Sequence, residues 1–254
     1  MDRDLLIREW KHEQEIAHIH GCDFSHIDRR HFMDEERGWS YPELVAKYRT
    51  DSKKLLDIDT GGGEMLLSFG HPHENTAATE AYPPNVQLCR ETLLPLGIDF
   101  REANGEGPLP FADESMDLIT NRHGSYCAKE YFRVLKKGGL FITQQVGRYN
   151  ERELIDLITP GVSGSFTGND LASAKEEFIR AGFRILEEGE SFRPVEFYDI
   201  GALVWFACVL PWEFVGFSVD THLGQLLKAQ EMLEKDGAVR GTTHRFMLVA
   251  QKPE

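Results

Sequence analysis

The chain has 254 residues and a net charge of −14, with 41% hydrophobic and 28% charged residues. That length and balance suit one folded domain with a sizeable core, or a core domain carrying a small cap. The acidic excess argues against a nucleic-acid binder, whose affinity draws on basic patches that neutralise phosphates, and favours a small-molecule partner.

The longest apolar run, Ile200 to Leu210, ends at Pro211 and is too short for a membrane span. It reads as a buried helix or a pocket wall. The first residues, MDRDLLIREWKHEQ, hold no apolar signal region, so a cytoplasmic location is expected. Cys22, Cys89, Cys127 and Cys208 form no CxxC pair, which fits reduced thiols and indicates neither a disulfide framework nor a zinc knuckle. Oligomeric state leaves no trace in the sequence.

Residues 1–50 read as a polar, helical N-terminal cap, with a second short helix from Pro42 to Tyr48. Strands and helices then alternate. Lys54 to Asp59 is a short apolar strand, and glycines 61–63 turn it into a helix through Leu67. Thr76 to Glu80 is the second strand. Pro84 opens a helix that Gly97 stops. Ile98 to Glu102 and Met116 to Thr120 are the third and fourth strands. A helix over 128–135 leads to a fifth strand, Leu140 to Val146. Leu171, Ala174, Phe178 and Ala181 form a helical stripe ending at Gly182. Phe183 to Glu188 is a sixth strand and Thr243 to Gln251 a seventh. The pattern predicts an α/β core over 51–189, completed by a final strand in 243–254, with an aromatic-rich insertion at 190–242.

The run Leu55-Leu56-Asp57-Ile58-Asp59-Thr60-Gly61-Gly62-Gly63-Glu64 carries the chemistry. Glycines at a strand's carboxyl end allow a sharp turn and close approach of a ligand to the main chain. A dinucleotide site wants G-x-G-x-x-G; Gly61 and Gly63 fit its first two glycines, but Leu66 stands at the third. Asp57, Asp59 and Glu64 would repel a pyrophosphate. They suit S-adenosylmethionine (SAM), whose ammonium and sulfonium are cationic. Glu80 ends the second strand 23 residues after Asp57, at the spacing of an acid that accepts from ribose hydroxyls. Read singly, the turn could simply pack and Glu80 could be an ordinary surface carboxylate.

Four segments in order resemble the class I SAM-dependent methyltransferases, in particular the group that includes the ubiquinone and menaquinone C-methyltransferases. They are Leu56 to Gly63, Thr79-Glu80, Pro108 to Leu118 (PLPFADESMDL) and Arg133 to Leu140 (RVLKKGGL). The resemblance covers about residues 52–147. It implies a Rossmann-like seven-stranded sheet, mostly parallel with an antiparallel last strand and helices on both faces. It also implies SAM as cofactor. Asp57, Asp59, Thr60, Gly61 and Gly63 would hold the methionine end, and Glu80 with Ala81 the ribose. Asn104 and Gly105 fall near the adenine, and Asn121 near the sulfonium. Asp59 departs from the family, standing where its first turn glycine belongs, either crowding the methionine end or strengthening its hold on the ammonium. Asn104 stands where an aspartate is usual, with Glu106 as its alternative.

Methyl transfer is a direct displacement, so holding nucleophile, methyl carbon and sulfur in line is the main task. A general base helps only a protonated acceptor. After the fourth strand, His123 could serve as that base and Tyr126 could orient the acceptor; alternatively both only support the cofactor pocket. His18, His20, His26 and His31 with Cys22 match no standard zinc spacing, and solvated or capping histidines are the expectation. Residues 1–50 and 190–242 hold all four tryptophans, Trp10, Trp39, Trp205 and Trp212. Together they are expected to cover the acceptor pocket as a lid, against the plainer reading of cap packing or a dimer contact. The function expected is methyl transfer from SAM to a small molecule. RNA of the ribosomal type is the alternative acceptor, and a SAM-binding homologue without turnover the alternative class.

Overall fold

A computed structural model describes residues 2–19, 23–163 and 166–254. By internal contacts the chain divides into two units. One comprises 38–147, 169–190 and 245–254; the other comprises the segment up to Arg37, with 148–168 and 191–244. The first boundary thus falls at Gly38, so Trp39 belongs with the α/β core and not with the N-terminal helix.

In the α/β unit the strands are β2 (Leu55–Ile58), β3 (Thr76–Glu80), β4 (Asp99–Glu102), β5 (Met116–Arg122) and β6 (Leu135–Val146). The first part of β7 (Arg184–Phe197) and the last part of β8 (Val239–Gln251) complete it. Their order is β7-β8-β6-β5-β2-β3-β4. The pairs among β2 to β6 are parallel, and β8 is antiparallel to β6. This is a Rossmann-like sheet, mostly parallel with an antiparallel last strand, as the resemblance implies.

Period-two alternation decides which residues face which layer. Leu55, Leu118, Leu140 and Val249 point to one core, shared with Leu44 and Val45 of α2 (Tyr41–Tyr48) and Val86 and Cys89 of α4 (Pro83–Thr92). Their neighbours Leu56, Ile119, Phe141 and Leu248 point to the other, shared with Tyr131 and Val134 of α5 (Ala128–Val134) and Phe178 of α7 (Leu171–Arg180). Burial on both faces is why these strands read as near-continuous apolar runs. A five-residue helix, α3 (Glu64–Ser68), follows the glycine turn.

The second unit has its own core. Leu6 and Trp10 of α1 (Arg3–Ile16) join Leu203, Trp205 and Phe206 of α8 (Ile200–Val209) and Leu226 of α9 (Leu223–Asp236). The apolar run is therefore a helix buried nearly all round. Asp199 caps its start by accepting from the Ala202 amide at 2.8 Å and pairs with Arg30, which also reaches Glu13. Of the insertion's aromatics, Trp205, Phe206 and Phe214 are core, whereas Trp212 is half exposed. Periodicity did not reveal α6 (Arg152–Ile158), α9, or β1 (His31–Met33), an eighth strand that pairs antiparallel with residues 195–197 of β7. Among the described residues no helix is long and apolar enough to cross a membrane.

Candidate active site

From β2 the chain builds β3 and β4 on one side, then returns to place β5 on the other side of β2. The strand order reverses between β2 and β5, and open α/β sheets take ligands at the carboxyl ends flanking such a reversal. Asp57 spans that point. It is 5% exposed, and Thr120 of β5 donates to its Oδ1 at 2.6 Å. Burial raises its carboxyl to about 6; the Thr120 hydroxyl and the Arg122 guanidinium oppose the rise and Glu80 adds to it.

Asp59 has left-handed backbone, φ +53°, a conformation glycine adopts without penalty and which other residues visit rarely. Its Oδ1 accepts from the Gly105 amide at 3.2 Å and its Oδ2 from the Ser125 amide at 2.9 Å. The side chain thus ties the 104–107 loop to the loop after β5. Tyr131 reinforces the tie, its hydroxyl lying 3.4 Å from the Gly105 carbonyl and 3.2 Å from that of Ser125. A Cβ on Gly105 would stand 2.1 Å from the Ser125 carbonyl, so only glycine fits there. Burial first, and the Glu80 charge second, raise the Asp59 carboxyl to about 6.

Glu80 is buried at the end of β3. Its Oε2 accepts from the Gly61 amide at 2.8 Å, and its Oε1 from the Ala81 and Tyr82 amides at 2.9 Å each. The glycine turn is therefore fastened to the next strand by the residue expected to hold a ribose. Thr60 adds a main-chain link, its amide donating to the Thr79 carbonyl at 3.0 Å. Gly61 (φ +64°) has open space where a Cβ would point, and Gly63 (φ +89°) has Leu93 at 2.8 Å from that position.

The remaining expected residues divide by how far their polar atoms are engaged. Asn104 is exposed and turns its own loop, its Oδ1 accepting from the Gly107 and Glu106 amides. Asn121 is fully buried. It donates to the carbonyls of Ile58 and Ser125, at 3.1 Å each, and accepts from Gln145 at 2.5 Å. Tyr126 commits its hydroxyl proton to Asn169 at 2.8 Å, and burial raises its phenol. His123 is exposed, at φ +61°, with its Nε2 3.1 Å from the Gln144 amide nitrogen. Of the histidines considered for a metal, His26 meets Glu13 and His31 meets the Ile27 carbonyl, while His20 and Cys22 lie outside the described residues. Among the described residues no metal-binding group of three or more His, Cys, Asp or Glu occurs.

Sequence reasoning gave no site role to Tyr131, Gln144 and Thr120, and counted Trp39 only as part of the expected lid. A signal existed for one of them: Thr143, Gln144 and Gln145 put three buried polar residues at the end of an otherwise apolar strand. Nothing local marks Tyr131, an aromatic on an amphipathic helix.

Residues 56–143 match the profile of a family described as "Methyltransferase domain". They form a class I methyltransferase domain. The phthiotriol/phenolphthiotriol dimycocerosates methyltransferase of Mycobacterium tuberculosis is 29% identical over 111 residues, 40% of this chain and 40% of that protein. The chain thus covers about two fifths of the length of the curated relatives it matches. Among solved structures, YcgJ of Bacillus subtilis superposes with a TM-score of 0.56 at 17% identity, covering 84% of this chain and 97% of that one. A functionally unknown protein of Deinococcus radiodurans R1 superposes at 0.57 and 14%, over 98% of each chain. At those identities the likeness speaks for the fold.

SAM is the methyl donor of this domain family. The donor set here fits it. Asp57, Asp59 and Glu80 gather three carboxylates at the ends of β2 and β3, and two of them are raised by burial and mutual repulsion. A cationic ligand relieves that repulsion, whereas a pyrophosphate would add to it.

Proposed function

We propose that this chain transfers a methyl group from SAM to a small-molecule acceptor at the carboxyl ends of β2, β3 and β5. The carboxylate cluster at the glycine turn is the observation that carries this reading. Asp57 and Glu80 flank the turn, and Gly61 leaves the main chain open to a ligand. SAM supplies an electrophilic methyl on a sulfonium. The chain's own part is to hold the acceptor in line and to exclude water. Asp59, Asn121 and Tyr131 serve that end by fixing the loops at 104–107 and 123–126.

Calorimetry tests the cofactor. SAM and its demethylated product should both bind, and NAD should not. Binding of NAD alone would sink the proposal.

A small acceptor rather than RNA is supported by the charge of −14 and by the mycobacterial relatives, which are named for methylating phthiotriol and phenolphthiotriol dimycocerosates. Filter binding against bulk RNA and structured ribosomal fragments should show no tight complex at physiological salt. Tight binding that weakens steeply as salt is raised would favour RNA over a small molecule as the acceptor.

A further inference from the structure

Gln144, at the end of β6, lies between an indole and an imidazole. Trp39 Nε1 donates to Gln144 Oε1 at 2.9 Å, and Gln144 Nε2 lies 3.1 Å from His123 Nε2. The His123 main chain is held as well, its amide donating to the Gln144 carbonyl at 2.9 Å. Trp39 also packs against Gly189, where any Cβ would stand 3.2 Å from the indole ring.

The chemistry of these three groups allows one arrangement. An indole N–H only donates. It therefore needs the carbonyl oxygen of Gln144, and the amide NH2 must face the other way. That NH2 only donates, so the nitrogen it meets must be a lone pair. His123 Nε2 is then the unprotonated nitrogen, and the ring proton sits on Nδ1. Turning the Gln144 amide over would set NH2 against the Trp39 N–H and lose that bond. Gln144 is 2% exposed, so water is a poor substitute for either partner.

We infer that Trp39, acting through Gln144, fixes His123 in the neutral Nδ1–H form and so withholds it from service as a general base. A base needs the lone pair that the Gln144 amide occupies. An acceptor methylated beside His123 is then one whose nucleophilic atom needs no proton taken by this ring. Trp39 and Gln144 are positioning residues. The link to an acceptor rests on the proposed methyl transfer, whereas the tautomer does not.

The test uses the full chain labelled with ¹⁵N. Long-range ¹H–¹⁵N correlation reads each imidazole's tautomer, and His123→Gln identifies the signal. Nδ1–H should dominate in the parent protein. Trp39→Phe removes the indole donor and should shift the population toward Nε2–H. Gln144→Glu replaces the donor facing His123 by an acceptor, and should place a proton on Nε2 whether or not Trp39→Phe folds. A dominant Nε2–H form in the parent protein overturns the inference. So does an unchanged tautomer in either folded variant. Neither SAM nor acceptor is present in this experiment, so its failure leaves the proposed function standing, and failure of SAM to bind leaves the tautomer standing.

Discussion

Replacing Asp57 by Asn should make the protein more stable at neutral pH and weaken its hold on SAM. The carboxyl is almost wholly buried, and its pKa is raised from the usual 3.8 to about 6. A folded-state value above the unfolded one means that ionisation opposes folding. The stability that the protonated group allows is fully present below about pH 4, and it is lost as pH rises through about 6. At pH 7.5 the ionised group then costs about 3 kcal/mol. Asn keeps an oxygen for the Thr120 hydroxyl, so the bond across the strand reversal survives. The variant should gain up to about 3 kcal/mol above pH 7, roughly 6–12 °C in Tm for a chain of this size. The gain should vanish near pH 4. Asp59 has the same sign, so the informative quantity is the difference between variant and parent across pH, not the parent's curve. Calorimetry should show SAM bound at least tenfold more weakly by the variant, because one of three charges facing the cation is gone. A variant no more stable than the parent at pH 7.5 would show that the folded protein does not hold the Asp57 carboxyl above its usual range.

The stabilising direction of that substitution also explains what the sequence could and could not reveal. Acids whose ionisation opposes folding are retained where a ligand answers them, and Asp57 and Asp59 were visible as charges beside a glycine turn. The strands of the core were legible because both faces are apolar, and β3 lies where composition put it, from Thr76 to Glu80. Strand ends were not. β6 starts at Leu135, ahead of the Lys-Lys-Gly-Gly stretch at 136–139, because Leu135 pairs with Met116 of β5 and the register shifts before Leu140 pairs with Leu118. Asp59 shows the deeper limit. Standing in place of a glycine, it looked like a ligand contact or an obstruction. The structure uses it to join two loops separated from it by 46 and 66 residues in sequence. A contact of that range leaves no periodicity or spacing behind. The same holds for Trp39, whose partner Gln144 lies 105 residues away.

Glu80→Ala should weaken SAM binding by about 1.5–3 kcal/mol, the usual worth of hydrogen bonds to a charged group. The structure adds that Glu80→Gln should do no better. Both carboxylate oxygens accept main-chain N–H groups: Gly61 on one side, Ala81 and Tyr82 on the other. An amide has one oxygen and one NH2, so in either orientation a donor is set against a donor. If NH2 faces Gly61, the glycine turn loses its fastening to β3. If it faces Ala81 and Tyr82, the start of the loop before α4 loosens. A residue that served only ribose hydroxyls would behave otherwise, because hydroxyls both donate and accept, and Gln could satisfy them. The pair of variants therefore separates pinning of the turn from ligand contact. Calorimetry with SAM on both, after circular dichroism has shown them folded, should give losses of similar size. Affinity restored by Gln would mean that the turn holds without Glu80 and that the carboxylate acts on the ligand alone. Affinity unchanged in Ala would remove Glu80 from the site.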